Sequence, residues 1–164
     1  MSIFENKRVF EETPRCELDY RIEAKDHLVK VNDWLKQTGL DEKWKAITPE
    51  PNQLFIDYDI SVGDYFDDKV PGDELPYGVC LPEAYSSAYC TLAEAYPEAV
   101  IQQRFTMSKS GKQHLVVTVT GVEFNKFERI AWQTAFGSDP KREALHIKST
   151  LMGSLNPNIL IERK

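Results

Sequence analysis

The stretch QLFIDYDI, residues 53–60, decides the fold. Its aromatic and β-branched residues predict a strand over 54–60. Residues two apart on a strand share a face, so Asp57 and Asp59 stand side by side among Phe55, Ile56, Tyr58 and Ile60. Two like charges on a mostly apolar strand need a reason, because a buried charge is costly unless it is paired. One reason is a cation between them: Mg²⁺ is commonly held by one or two carboxylates plus substrate phosphates. The other is an edge strand whose acids are simply solvated.

The pattern on either side supplies the other elements. Residues 25–38 predict a helix, with Leu28, Val31, Trp34 and Leu35 at helical spacing and Gly39 as its stop. TPEPNQ, 48–53, is a turn-rich lead into the strand. The acidic stretch 61–78, with Gly63, Pro71, Gly72, Pro76 and Gly78, reads as a long loop. Residues 82–96 predict a helix with Pro82 in its first turn and Tyr85, Ala88, Tyr89, Leu92 and Tyr96 on one face. Residues 99–108 and 114–121 predict a hairpin around the turn 110–112. A helix over 124–136 is expected to bury Phe124, Phe127, Ala131 and Ala135, with Ile130 beside them, and to end at Gly137. Asp139 and Pro140 open another helix as its cap and first residue. NILIE, 158–162, closes the chain as a short strand. Helix, strand, helix, hairpin, two helices and strand make an α+β or split-βαβ layout, with helices packed on a small, mostly antiparallel sheet.

A length of 164 residues fits a single domain, 1–164, with a core of its own. Residues 1–24 are polar and poorly periodic and read as an extended arm. No apolar run approaches a membrane span, and MSIFENKRVFEETPR lacks a signal-peptide core, so a cytoplasmic protein without membrane contact is expected. Cys16, Cys80 and Cys90 form no C-x-x-C pair, which suggests neither a disulfide framework nor a zinc site. The net charge of −6 argues against non-specific coating of nucleic acid. Its distribution is uneven. Between Asp57 and Glu74 stand seven acids and one lysine, whereas Arg104 to His114 carries Arg104, Lys109, Lys112 and His114 and no acid.

Three further stretches carry candidate chemistry. SKSGKQH, 108–114, offers hydroxyls, a glycine turn and the cations Lys109 and Lys112 before His114, a composition that suits a phosphate. It equally makes a solvated β-turn, and it is not a Walker loop. GSDPKREALHIK, 137–148, gathers Asp139, Lys141, Arg142, His146 and Lys148 around a helix start, where anions are favoured and where Asp139 also serves as a plain cap. In NILIERK, Glu162 is either a third metal-facing acid or a tail residue in water.

Taken in order, LFIDYDI, RFTMSKSGKQHLVV, GSDPKRE and a late strand bearing an acid resemble the catalytic core of the archaeo-eukaryotic primase superfamily, most closely its small phage and plasmid primase-like members. The resemblance spans about residues 54–162 in ordered pieces. It implies an RRM-like sheet with packed helices, a primase-polymerase-like core. It implies a nucleotidyltransferase acting on nucleoside triphosphates and a DNA or RNA template, in phage or plasmid replication and hence in the host cytoplasm, alongside a helicase or other replication protein. Asp57, Asp59 and Glu162 would hold Mg²⁺ or Mn²⁺, with Asp139 as the competitor for the third position. Asp57, Asp59 and His114 would be catalytic. Ser108, Ser110, Lys112 and His114 would bind nucleotide phosphates, and Arg104, Lys109, Lys141 and Arg142 would track nucleic acid. Two rivals stand beside this: a metal-dependent nuclease, and a non-catalytic nucleic-acid- or protein-binding phage protein on a degenerate fold. For the last, Phe55 and Phe105 are the candidate stacking aromatics.

Overall fold

The computed structural model describes residues 27–61, 81–151 and 158–164. The arm 1–24, nearly all of the acidic loop 61–78, Cys16 and Cys80 lie outside the described residues. Those described form four helices and five strands: α1 over 27–37, β1 Trp44–Ile47, β2 Gln53–Ser61, α2 Glu83–Ala95, β3 Ile101–Met107, β4 Lys112–Val119, α3 Lys126–Ala135, α4 Pro140–Leu151 and β5 Leu160–Arg163. The fold is α+β with antiparallel sheets, as the pattern predicts. None of these helices is long and apolar enough to cross a membrane.

Three strands pair in the order β2-β4-β3, all antiparallel. Alternation sends Leu54, Ile56 and Tyr58 of β2, Leu115, Val117 and Val119 of β4, and Phe105 of β3 to one face, where they pack with Tyr85, Ala88 and Leu92 of α2. Such a face stabilises by about 1.5–3 kcal/mol per fully buried large side chain. The other face carries Phe55 and Asp57 on β2, His114 and Val116 on β4, and Arg104 and Thr106 on β3. The β1–β5 pair covers its apolar part, with Leu160 and Ile47 packed against Phe55 and Val116. An isolated bridge, Ser108 to Glu162, ties β5 to the end of β3.

β1 has no counterpart in the sequence reading: four residues without turn signals become a strand only because they pair with the distant β5. The hairpin turn is also displaced. It occupies 109–111, with Gly111 at φ 79° and its N–H donating to Ser108 O over 3.0 Å, so β4 begins at Lys112 rather than 114. A three-residue loop ending in a left-handed glycine is a common hairpin form.

The largest departure concerns α3. Ala131 and Ala135, expected inside, are exposed, while Arg129 and Gln133 are buried. β2 is an edge strand of its sheet, and α3 lies along that edge. A strand edge presents unpaired N–H and C=O groups that cost free energy if buried unmet. The helix face that covers them must therefore be polar. Gln133 Oε1 accepts the Phe55 N–H at 2.9 Å, and Arg129 Nε donates to Gln53 O at 3.1 Å. Asn125 and Glu128 close the helix start as a capping box.

Candidate functional site

β2 brings Asp57 opposite His114 of β4, with His114 Nε2 3.4 Å from Asp57 Oδ1. Burial raises the Asp57 carboxyl pKa, but the His114 hydrogen bond and the charges of His114, Arg142 and Lys112 outweigh it and hold the group below its ordinary value. His114 is itself buried. Its Nδ1 and the hydroxyl of Thr106, its neighbour on β3, are the two buried side-chain polar atoms without a hydrogen-bond partner among the described residues. Leaving such an atom unmet costs on the order of 1–3 kcal/mol, and both lie at this one place.

Beyond Asp57 the β2–β4 register shifts, resuming at Ser61 opposite Lys112. Such irregularities re-aim side chains. Asp59, 65% exposed, meets the ammonium of Lys112. The two acids of the opening stretch are thus each answered by a base on the neighbouring strand, the usual cross-strand way of relieving charge.

A cleft of about 380 Å³ opens on this face, lined by Asp57, His114, Ser108, Lys109 and Ser110, with Ile159, Leu160 and Ile161 as an apolar wall. Five residues singled out in two separate stretches of sequence therefore border one space. The turn is braced internally. Ser108 Oγ lies 3.0 Å from Ser110 Oγ and accepts the Lys112 N–H at 3.0 Å, while Ser108 N donates to Lys112 O at 2.6 Å. Two turn N–H groups, those of Gly111 and Lys112, are consumed in this way. What the turn presents to an anion is therefore chiefly its hydroxyls and Lys109. The Lys109 ammonium also sits 5.3 Å from the ring centre of Trp34 on α1.

Other expected site residues lie elsewhere. Glu162 is 1% exposed, with Oε2 2.7 Å from Arg104 and Oε1 3.3 Å from Lys45. Both of its oxygens are committed to cations, and Arg104 is correspondingly tied to a carboxylate. The three acids Asp57, Asp59 and Glu162 do not converge: among the described residues no three His, Cys, Asp or Glu side chains gather as a metal set. Asp139 spends Oδ1 on the Lys141 N–H at 3.1 Å as the cap of α4. Lys141 is exposed near the start of α4. Arg142, 13% exposed, turns inward, donating to Phe55 O at 3.0 Å and meeting Asn158 and Glu143. Phe55 and Phe105 are buried and present no stacking surface.

The contacts that hold Asp57 from behind are absent from the sequence reading, which has Asp139 only as a cap or a candidate metal acid. Ser138 Oγ accepts the Asp57 N–H at 3.1 Å, and Asp139 N donates to Asp57 O at 2.7 Å. Glu143, 2% exposed, lies beneath them. The i, i+4 spacing of Arg129 and Gln133 is the available signal, yet it reads equally as a solvated stripe.

No family model, curated protein or solved structure matches this chain. The site geometry and the motif order are what bear on function.

Proposed function

We propose that the chain binds a nucleoside triphosphate in the Asp57–His114 cleft and acts as a primase-like nucleotidyltransferase on an RRM-like sheet. The observation carrying this reading is the common cleft: a carboxylate–imidazole pair held in register beside a hydroxyl- and lysine-bearing turn. Ser108, Ser110 and Lys109 suit phosphate oxygens, and His114, directed to Asp57 through Nε2, lines the same cleft. The apolar wall Ile159–Ile161 suits the less polar part of a nucleotide.

A divalent ion would take Asp57 and Asp59 as protein ligands, with phosphate oxygens completing the shell; of the two, Asp57 lines the cleft and Asp59 is paired with Lys112 beyond the register shift. Glu162, held by Arg104 and Lys45, does not fit as a third ligand. A bound Mg²⁺ or Mn²⁺ supplies neutralisation of phosphate charge and acidifies an attacking hydroxyl. Lys112 must release Asp59 for that set to form.

The pairing of both acids with bases supports a second reading, a nucleotide- or nucleic-acid-binding protein without catalysis. Calorimetric titration of magnesium ATP, followed by incubation with labelled nucleotide and an oligonucleotide template, separates the readings. Under the first, binding weakens about tenfold in His114→Ala, the scale of one charge-assisted contact, and labelled product grows. Binding without growth supports the second reading. Shortening of a labelled strand supports the nuclease. Equal affinity in the wild type and His114→Ala refutes the site.

A further inference from the structure

Asp57 is the last residue of β2 in register with β4 before the ladder shifts, and the next registered pair is Ser61 with Lys112. The ladder by itself therefore fixes it less firmly than a residue in mid-strand. Its other edge is gripped by the segment between α3 and α4. Ser138 Oγ accepts the Asp57 N–H, and Asp139 N donates to Asp57 O. A serine has one hydroxyl hydrogen, and Ser138 spends it on Glu143 Oε1 at 2.9 Å. With that hydrogen committed, the hydroxyl turns its lone pairs to Asp57.

Glu143 organises the rest of the grip. Gln133 Nε2 lies 3.2 Å from each of its oxygens, Arg142 Nη1 3.1 Å from Oε1 and His146 Nδ1 3.2 Å from Oε2. Gln133 and Arg142 in turn hold the N–H and C=O of Phe55. One buried carboxylate of α4 thus orients the three side chains that clamp the β2 main chain at Phe55 and Asp57. A connected network of this kind admits one arrangement, where an apolar contact admits several.

We propose that Glu143 and Ser138 are positioning residues for the cleft: the relay from Glu143 through Ser138 to the Asp57 peptide sets the direction in which the Asp57 carboxylate meets His114. This rests on the reading of Asp57 as a working residue of the nucleotide site.

The test compares Ser138→Ala and Glu143→Gln with Val119→Ala, a core truncation remote from the relay that serves as the stability control. The His114 ring nitrogen resonances are recorded without ligand at fixed pH, and magnesium ATP is titrated by calorimetry. Ser138→Ala and Glu143→Gln are expected to move the His114 resonances and to weaken ATP binding about tenfold, the equivalent of one hydrogen bond. Val119→Ala leaves both unchanged while lowering the melting temperature. If Ser138→Ala does not fold, Ser138→Cys, close in size and a weak acceptor, takes its place. Unmoved His114 resonances in either relay variant, or the same movement in Val119→Ala, overturn the proposal. A wild type that binds no ATP refutes the nucleotide reading instead, and the resonances then decide the positioning claim alone.

Discussion

Replacing Gln133 with leucine tests whether a helix holds the β2 edge. The two side chains are similar in size, so the change removes polarity more than volume. Gln133 Oε1 accepts both the Phe55 N–H at 2.9 Å and the Asn158 amide at 2.7 Å, and Nε2 serves Glu143. In Gln133→Leu two buried N–H groups lose this acceptor, at on the order of 1–3 kcal/mol each. Leucine recovers part of that through its own favourable burial. A net loss of about 3 kcal/mol is expected, a large share of the 5–15 kcal/mol typical of a domain. For a chain of this size it lowers the melting temperature by roughly 6–12 °C. Urea unfolding followed by circular dichroism measures it, with Thr134→Ala as control. Thr134 is exposed on α3 and its hydroxyl donates to Ile130 O of the same helix, so the loss of this side chain is expected to stay within about 0.5 kcal/mol. A loss below about 1 kcal/mol in Gln133→Leu, with an unchanged denaturant slope, would refute the view that side chains of α3 satisfy this edge.

Three other outcomes are expected. Arg104→Ala destabilises more than Glu162→Gln, by about 1–2 kcal/mol, because it strips a partner from a buried carboxylate, whereas the half-exposed Arg104 and Lys45 are rehydrated when the acid is removed; equal losses in denaturant titrations contradict this. Mn²⁺ or Mg²⁺ raises the melting temperature of the wild type and not that of the Asp57→Asn, Asp59→Asn double variant; a persisting shift removes the metal from β2. Because the Asp57 pKa is lower folded than unfolded, the unfolded chain binds its proton first, so the stability due to this group is full above about pH 4 and is lost as pH falls through the lowered value. Asp57→Asn is therefore expected to flatten the acid limb of a stability–pH curve measured in urea, and an unchanged limb counts against the His114 pairing.

The helix over 83–95, the hairpin and the closing strand were legible because their apolar periods match their geometry, and the helix around 28–35 was legible although Trp34 of its apolar stripe is exposed and Leu35 alone is fully buried. The Asp139 cap was legible for the same local reason: an acid before proline sets its own backbone. β1 was not, because Trp44–Ile47 acquires strand structure only from a partner more than a hundred residues away. Gln133, Ser138 and Glu143 were not, because a buried polar residue looks like a surface one until the group it satisfies is known. The cleft was half legible: a carboxylate suited to a cation stood at 57 and residue types suited to phosphate at 108–114, but nothing local states that the two meet.

Sequence alone determined the helical and strand segments other than β1, and that a carboxylate pair and a hydroxyl-rich basic turn exist, since these follow from short-range periodicity and side-chain chemistry. Tertiary structure decided their relations. It set His114 against Asp57 and Lys112 against Asp59, drew Glu162 away to Arg104 and Lys45, and turned Arg142 inward to β2. The physical reason is that a charge or a backbone N–H takes whichever partner the packing brings within hydrogen-bond reach, and that choice is made across the chain rather than along it.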